Sequence, residues 1–410
     1  MKNRRVVITG VGAVTPMGYG AEALFDGLKN GHSAVKRMPE WEEYIGLRSL
    51  LAAPCELRNE KDIPRKNRRS MSPMSIMAAQ SADEACRDAG ISKDDLGNSR
   101  CGCITGSTMG SAKVINEAYE TVLPEKDFSK LTSMMFFKCM AHSCSANLAQ
   151  YLGLKGMVLA TSAACASSLQ AIGTGYDMIR NGRQDVLLCG GAEEVHPTVT
   201  GIFDLLYATS VNHNDDPENS PRPFDAARDG LVIGEGAAIL VLEEYEHAIA
   251  RNADIYAEIT GYNTNGSGEH VSQSNAEAMI KCMRGAIEEA GIAPSGFDYI
   301  NAHATGTLQG DAAEAAAIAE VFGNKIPVSS LKGYFGHTMG ASGAIELTAS
   351  LLMMKNGIVI PGNNLSKPAG DCGGICHPLE IEKREINRII KNGFAFGGVN
   401  ASLVCEKIKI

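Results

Sequence analysis

Short apolar runs alternate along the chain with longer stretches that repeat at helical spacing. Residues 5–9 (RVVIT) read as a first buried strand, and the following GVGAVTPMG as a tight strand-to-helix turn. Ala21, Leu24, Phe25 and Leu28 then recur on one helical face that closes at Gly31. A helix is predicted over 74–90, a strand over 101–106, and mainly helix over 112–152, whose Met134, Met135 and Met140 read as core or interface. Residues 158–191 form the clearest unit: a strand (VLATS), a turn of small residues to Cys165, a helix over 166–180 closed by Gly182, and a strand over 185–189 ending in paired glycines. A long polar, proline-containing excursion over 192–235 reads as functional.

After a strand over 236–244 and a helix around Ala248, a second series begins near residue 250. It predicts strand 255–262, helix 275–290, strand 298–302, helix 311–322, strand 327–331, helix 340–356 and a closing strand near 401–408. Ile-Thr-Gly at 8–10 recurs at 259–261, which suggests a distant internal duplication. The expected organisation is two α/β halves, residues 1–250 and 251–410.

Cys165 lies at a predicted helix N-terminus, where unpaired N–H groups and the helix dipole favour thiolate. Ala164 and Ala166 leave space beside its sulfur. A single cysteine of this kind is ordinarily structural; two distant segments give it chemical meaning. Asn301-Ala-His303-Ala-Thr305-Gly-Thr307 closes one predicted strand, and Lys332-Gly-Tyr-Phe-Gly-His337 precedes a small-residue helix carrying Glu346. A third, Gly393-Phe-Ala-Phe396-Gly-Gly-Val-Asn400, again puts an aromatic side chain beside glycines at a strand end, where α/β folds build their sites.

Other motifs are weaker. The loop after the first strand approaches G-x-G-x-x-G, but Thr15 holds the last glycine position. Cys372 and Cys376-His377 give C-x3-C-H without a second ligand pair, so no metal site is expected. Arg65-Lys66-Asn67-Arg68-Arg69 concentrates positive charge in a chain of net charge −9 and reads as a docking patch or as a solvated face.

The acidic balance argues against nonspecific nucleic-acid binding. With 410 residues, 44% apolar and 21% charged, the chain fits a globular protein with a sizeable core. MKNRRVVITG offers no signal-type apolar stretch, and no run of about 18 apolar residues occurs, so a cytoplasmic protein without membrane association is expected. The 12 cysteines are scattered, as in a reducing compartment.

Together, SAACASS, NAHATGT, KGYFGHTMGASGA and FGGVN resemble the elongating β-ketoacyl-[acyl-carrier-protein] synthases of types I and II, and the likeness runs through nearly the whole chain. The resemblance implies the thiolase fold: α/β, two similar halves in a five-layer αβαβα arrangement. It also implies decarboxylative condensation of an acyl-enzyme thioester with a malonyl-carrier protein. Cys165 would be the nucleophile, with His303, His337 and Lys332 catalytic and Glu346 supporting. The amides of Cys165 and Phe396 would form the oxyanion hole, and Phe396 the gate. Thr305 and Thr307 would bind the pantetheine arm, and Met109 and Phe203 would line the acyl pocket. Arg65, Lys66 and Arg69 would dock the acyl-carrier protein. No resident cofactor is implied, since substrates ride on the carrier's phosphopantetheine. The implied assembly is a homodimer or a heterodimer with a related chain-length subunit.

Several positions depart from the family pattern. Ala395 and Val399 replace a glycine and a threonine of the gate, Leu308-Gln309 replaces a proline-containing pair, and Met109 stands at a pocket position usually glycine or isoleucine. Lys391 stands where the family commonly has serine beside a structural cation, so that cation is not carried over. These departures suggest a dedicated type II polyketide or polyene pathway as the alternative to housekeeping fatty-acid elongation. A degradative thiolase would need a C-x-G cysteine near the end, and Cys405 is followed by Glu-Lys. A noncatalytic partner subunit would lack the active cysteine.

Overall fold

The computed structural model describes residues 3–270 and 273–408. Ten strands follow one another across a central sheet: β1 (Val6–Thr15), β2 (Cys101–Gly106), β3 (Val158–Thr161), β4 (Val186–Glu193), β5 (Gly236–Glu244), β6 (Ala257–Gly266), β7 (Tyr299–Asn301), β8 (Val328–Ser329), β9 (Arg388–Ala395) and β10 (Val399–Glu406). Their spatial order is β8-β7-β9-β10-β6-β1-β5-β4-β2-β3, with β1 and β6 antiparallel at the centre. Read outward from that junction, each half has the same order: its first strand, then its fifth, fourth, second and third.

The repeated Ile-Thr-Gly occupies equivalent places. The register of β1 shifts between Ile8 and Gly10, and that of β6 between Ile259 and Gly261. Both glycines are required by close approach of a helix. A Cβ on Gly10 would fall 2.2 Å from the Ala85 carbonyl oxygen of α1 (Pro73–Asp88). A Cβ on Gly261 would fall 2.1 Å from that of Ala286 in the equivalent helix Ala276–Ala290.

Between the two sets of strands lie Ser167–Arg180, preceded by Cys165, and Ser342–Asn356, which carries Glu346. With α1 as the first, we call these helices α2 (Ser167–Arg180), α3 (Ala276–Ala290), α4 (Leu308–Phe322) and α5 (Ser342–Asn356). Helix α1 covers the outer face of the first half, and α3 and α4 that of the second, which completes the five layers. The thirteen residues of α5 from Ser342 to Met354 are all buried, as expected of a helix enclosed by both halves. Strands β1 and β4 are buried along their whole length, because helices cover both faces.

Two expectations change. The apolar run at 5–9 does not end in a turn: β1 continues to Thr15, since its small Gly10, Gly12 and Ala13 let α1 pack against an uninterrupted strand. The stretch 112–152 is broken into helices Ala112–Val122, Met134–Cys139 and Ser143–Leu152. The excursion 192–235 contains a helix, Pro197–Leu205, that carries Phe203.

Candidate active site

The nucleophile turn is built locally. Ala164 adopts φ 46°, a conformation rare for a residue with a side chain, and the Ser167 hydroxyl braces it. That hydroxyl accepts from the Ala163 N–H at 2.8 Å and donates to the Ala164 carbonyl at 2.6 Å. Cys165 therefore sits just ahead of α2, 3% exposed, with the backbone N–H groups of Cys165 and Phe396 directed at its sulfur.

The electrostatics reverse one expectation. Burial pushes the Cys165 thiol up to about 12; nearby Lys332 opposes this and Glu193 adds to it. Desolvation outweighs the helix N-terminus, and the resting group is a neutral thiol rather than a thiolate.

His303 follows β7, and its loop is held by two carboxylates from the first turns of α4. Glu314 accepts from the N–H groups of His303 and Ala304 at 2.8 and 2.7 Å. Asp311 accepts from Thr305 and Phe224 at 3.0 and 2.8 Å. Burial raises Glu314 to about 7 and Asp311 to about 6. His337 is anchored by its own N–H, which donates to the Val232 carbonyl at 2.6 Å.

The Cys165 sulfur and a ring nitrogen from each histidine lie within 4.8 Å of one another. Burial, followed by Lys332, holds both imidazoles well below the ordinary histidine range, so both are neutral near pH 7. Nδ1 of His337 accepts from the Met339 N–H at 3.3 Å, which leaves its proton on Nε2. That Nε2 is buried and has no partner among the described residues. An Nε2–H is a hydrogen-bond donor and not a lone pair for a metal, so the trio suits an oxyanion better than a cation.

Lys332 Nζ contacts one oxygen of Glu346 at 2.5 Å, and Lys391 pairs with the other. All three side chains are essentially fully buried. Thr305 and Thr307 face each other, 3.1 Å between hydroxyl oxygens. With Cys165, both histidines and Phe396 they line a cleft that is partly open to solvent. Phe396 stands in the turn between β9 and β10, where Gly397 and Gly398 have φ 88° and 72°, and its ring lies 5.9 Å from that of Phe203.

The remaining expected residues lie apart. Met109 is 39% exposed and does not line the cleft; the two residues just before it, Ser107 and Thr108, are tied to Glu193 at 3.1 and 2.8 Å. Arg65, Lys66 and Arg69 are exposed on and just after the short helix Arg65–Arg68. Lys66 and Arg69 border a separate groove with Met134, Phe137 and Met140. In the C-x3-C-H run, His377 Nε2 is engaged by the Cys372 carbonyl at 2.8 Å instead of joining a ligand cluster. Sequence reasoning missed Asp311, Glu314 and Glu193; the acidic pair three residues apart at the start of α4 was the available signal for the first two.

Residues 3–248 match the family model of the beta-ketoacyl synthase N-terminal domain, and residues 256–366 that of its C-terminal domain. The 3-oxoacyl-[acyl-carrier-protein] synthase 1 of Haemophilus influenzae is 37% identical over 98% of this chain and 99% of its own. A β-ketoacyl synthase crystal structure from Burkholderia phymatum superposes with a TM-score of 0.95 at 42% identity, covering 99% of this chain and 100% of the other. The ishigamide ketosynthase/chain length factor gives 0.92 at 30% identity, with the same coverage. The nucleophile turn, the paired histidines and these full-length likenesses place the chain in the β-ketoacyl synthase family.

Proposed function

We propose that Cys165 carries the growing acyl chain and that the two histidines drive carbon–carbon bond formation on it. The Cys165 sulfur attacks the thioester of an acyl-carrier protein: its S–C bond forms, the carrier's C–S bond breaks, and the thiol proton leaves with the pantetheine sulfur. The amides of Cys165 and Phe396 hold the oxyanion. A malonyl-carrier protein then enters, with its pantetheine arm along Thr305 and Thr307. Its carboxylate leaves as carbon dioxide, and the electron pair moves onto the thioester oxygen, stabilised by Nε2–H of His337 and by His303. The resulting carbon nucleophile attacks the acyl-Cys165 carbonyl, the C–S bond breaks, and the thiolate recovers a proton. No resident cofactor enters this sequence.

One observation carries the reading: His337, whose Nε2–H has no partner among the described residues, shares a 4.8 Å cluster with His303 and a cysteine sulfur. A burial-neutralised imidazole can donate to developing negative charge without first losing a proton. Lys332, held by Glu346, supplies positive charge beneath the rings. The first half, residues 1–250, contributes the nucleophile and the second, 251–410, both histidines. Arg65, Lys66 and Arg69 receive an acidic carrier protein, and Phe203 with Phe396 closes the acyl channel. Twelve free cysteines suit a cytoplasmic, reducing setting.

The alternative pathway, type II polyketide or polyene synthesis with a chain-length partner, draws support from the likeness to a ketosynthase/chain length factor. The edge strand β3 offers a place for a second copy or a related subunit, since Val158 and Leu159 are 45% and 40% exposed at the end of the sheet. Incubation with acyl- and malonyl-carrier proteins tests the reading: a β-ketoacyl product and released carbon dioxide are expected. Their absence with a panel of saturated and conjugated acyl donors overturns it.

A further inference from the structure

Two ammonium groups share one carboxylate beneath the imidazoles, and only one of them belongs to the reading above. Lys391 projects from β9 beside Asn301 of β7, its register partner, two residues ahead of His303. Its Nζ pairs with Oε2 of Glu346 and donates to the Asn392 carbonyl at 2.6 Å. Lys332 holds Oε1 of the same carboxylate at 2.5 Å, and the Ser342 hydroxyl donates to that oxygen at 3.3 Å. The carboxylate is thus gripped from both sides in a region closed to water, where one pairing alone would leave its second oxygen unsatisfied.

The surroundings show where this charge acts. Cys165 faces the histidines from the start of α2, and each ring faces the other. Lys332 of the short helix Lys332–Phe335 and Lys391 of β9 act on both rings, Glu346 of α5 lies between these two ammonium groups, and Glu314 of α4 holds the backbone N–H of His303. Glu193 of β4 reaches the same loop through the Gly340 N–H at 3.0 Å. Lys391 and Lys332 both disfavour protonation of His303 and of His337.

We propose that Lys391 is a positioning residue for the decarboxylating step: its ammonium clamps Glu346, thereby fixes Lys332, and adds a second positive charge beneath the two imidazoles. This rests on the condensation reading above. A neutral side chain of similar length keeps the volume and removes the charge, so Lys391→Met separates the two contributions. Lys391→Arg retains the charge.

The test measures carbon dioxide release from malonyl-carrier protein, acyl transfer to Cys165, and the pH profile of each. Lys391→Met is expected to slow decarboxylation about tenfold or more, acyl transfer far less, and to move the acid limb of decarboxylation about one pH unit upward, because imidazoles relieved of a positive neighbour protonate more readily. Lys391→Arg should retain more decarboxylation than Lys391→Met. Decarboxylation at the parent rate in Lys391→Met overturns the proposal, as does an equal loss in both half-reactions with an unmoved acid limb. If Lys391→Met does not fold, Lys391→Gln, which keeps a donor for Glu346 without the charge, is read by the same criteria. Failure of the condensation reading itself is distinct: the unsubstituted protein would then release no carbon dioxide and form no adduct.

Discussion

The rings of His303 and His337 meet edge to face, 5.2 Å between centroids and 81° between planes. The arrangement lets two imidazoles from different loops converge on one point beside the Cys165 sulfur. Replacing either histidine with alanine should lower condensation about 10²–10³-fold, the size of effect seen when a preorganised donor to an oxyanion is lost. Cys165 should still acquire an acyl group, because its oxyanion is held by backbone amides. Comparing product formation with acyl adduct formation checks this; equal loss of both would contradict the assignment.

The pH dependence follows from burial. With its thiol pushed up to about 12, Cys165 is alkylated through a minor thiolate fraction. Iodoacetamide labelling of the Cys165 peptide should therefore rise about tenfold per pH unit from 7 to 10 without levelling off. A plateau below pH 9 would mean that the helix N-terminus dominates after all. Both histidines lie well below their ordinary range, so they stay neutral as pH falls through about 6.5. Condensation should consequently show no acid limb at that pH.

Much of this site is legible in the sequence because its catalytic groups follow strands and adjoin glycines, and those local patterns survive folding. Cys165 after VLATS and His303 after DYINAH are examples. The ionisation of Cys165 was misjudged because the helix N-terminus is a local feature, whereas desolvation depends on everything packed around the sulfur. Glu314 was missed for a similar reason: its partners are backbone amides of the His303 loop, and backbone groups leave no mark in a sequence. The exposed Met109 follows Ser107 and Thr108, whose ties to Glu193 of a separate strand are contacts that no spacing predicts. In the fold, glycines at 10 and 12 read as a turn, yet they allow a helix to approach a continuous strand.

The basic patch makes a prediction specific to macromolecular substrates. Arg65, Lys66 and Arg69 are exposed and lie outside the cleft, so reversing charge at Arg65 and Arg69 should affect docking rather than chemistry. Arg65→Glu/Arg69→Glu should raise KM for carrier-bound acyl groups about tenfold at low salt, and less at high salt. KM for a small acyl thioester lacking the carrier should stay unchanged; a parallel rise would contradict the docking role.

The repeated glycine supports a stability test. Gly261→Ala would set a methyl group 2.1 Å from the Ala286 carbonyl oxygen, and a backbone atom cannot step aside as a flexible side chain can. A loss of about 3 kcal/mol in urea unfolding is expected, at the upper end of ordinary overpacking. Gly266→Ala in the same strand has open space around it and serves as the control. Equal stability of the two variants would contradict the close helix–strand approach.

The most direct test of the central claim is the intact mass of the protein after mixing with acyl-carrier proteins bearing different chains, beside a Cys165→Ala control. The account predicts one acyl increment on the unsubstituted chain, mapped to Cys165 and absent from the control, with the preferred chain separating saturated fatty-acid from conjugated substrates. An increment that persists in Cys165→Ala, or none from any donor on a folded protein, would contradict it.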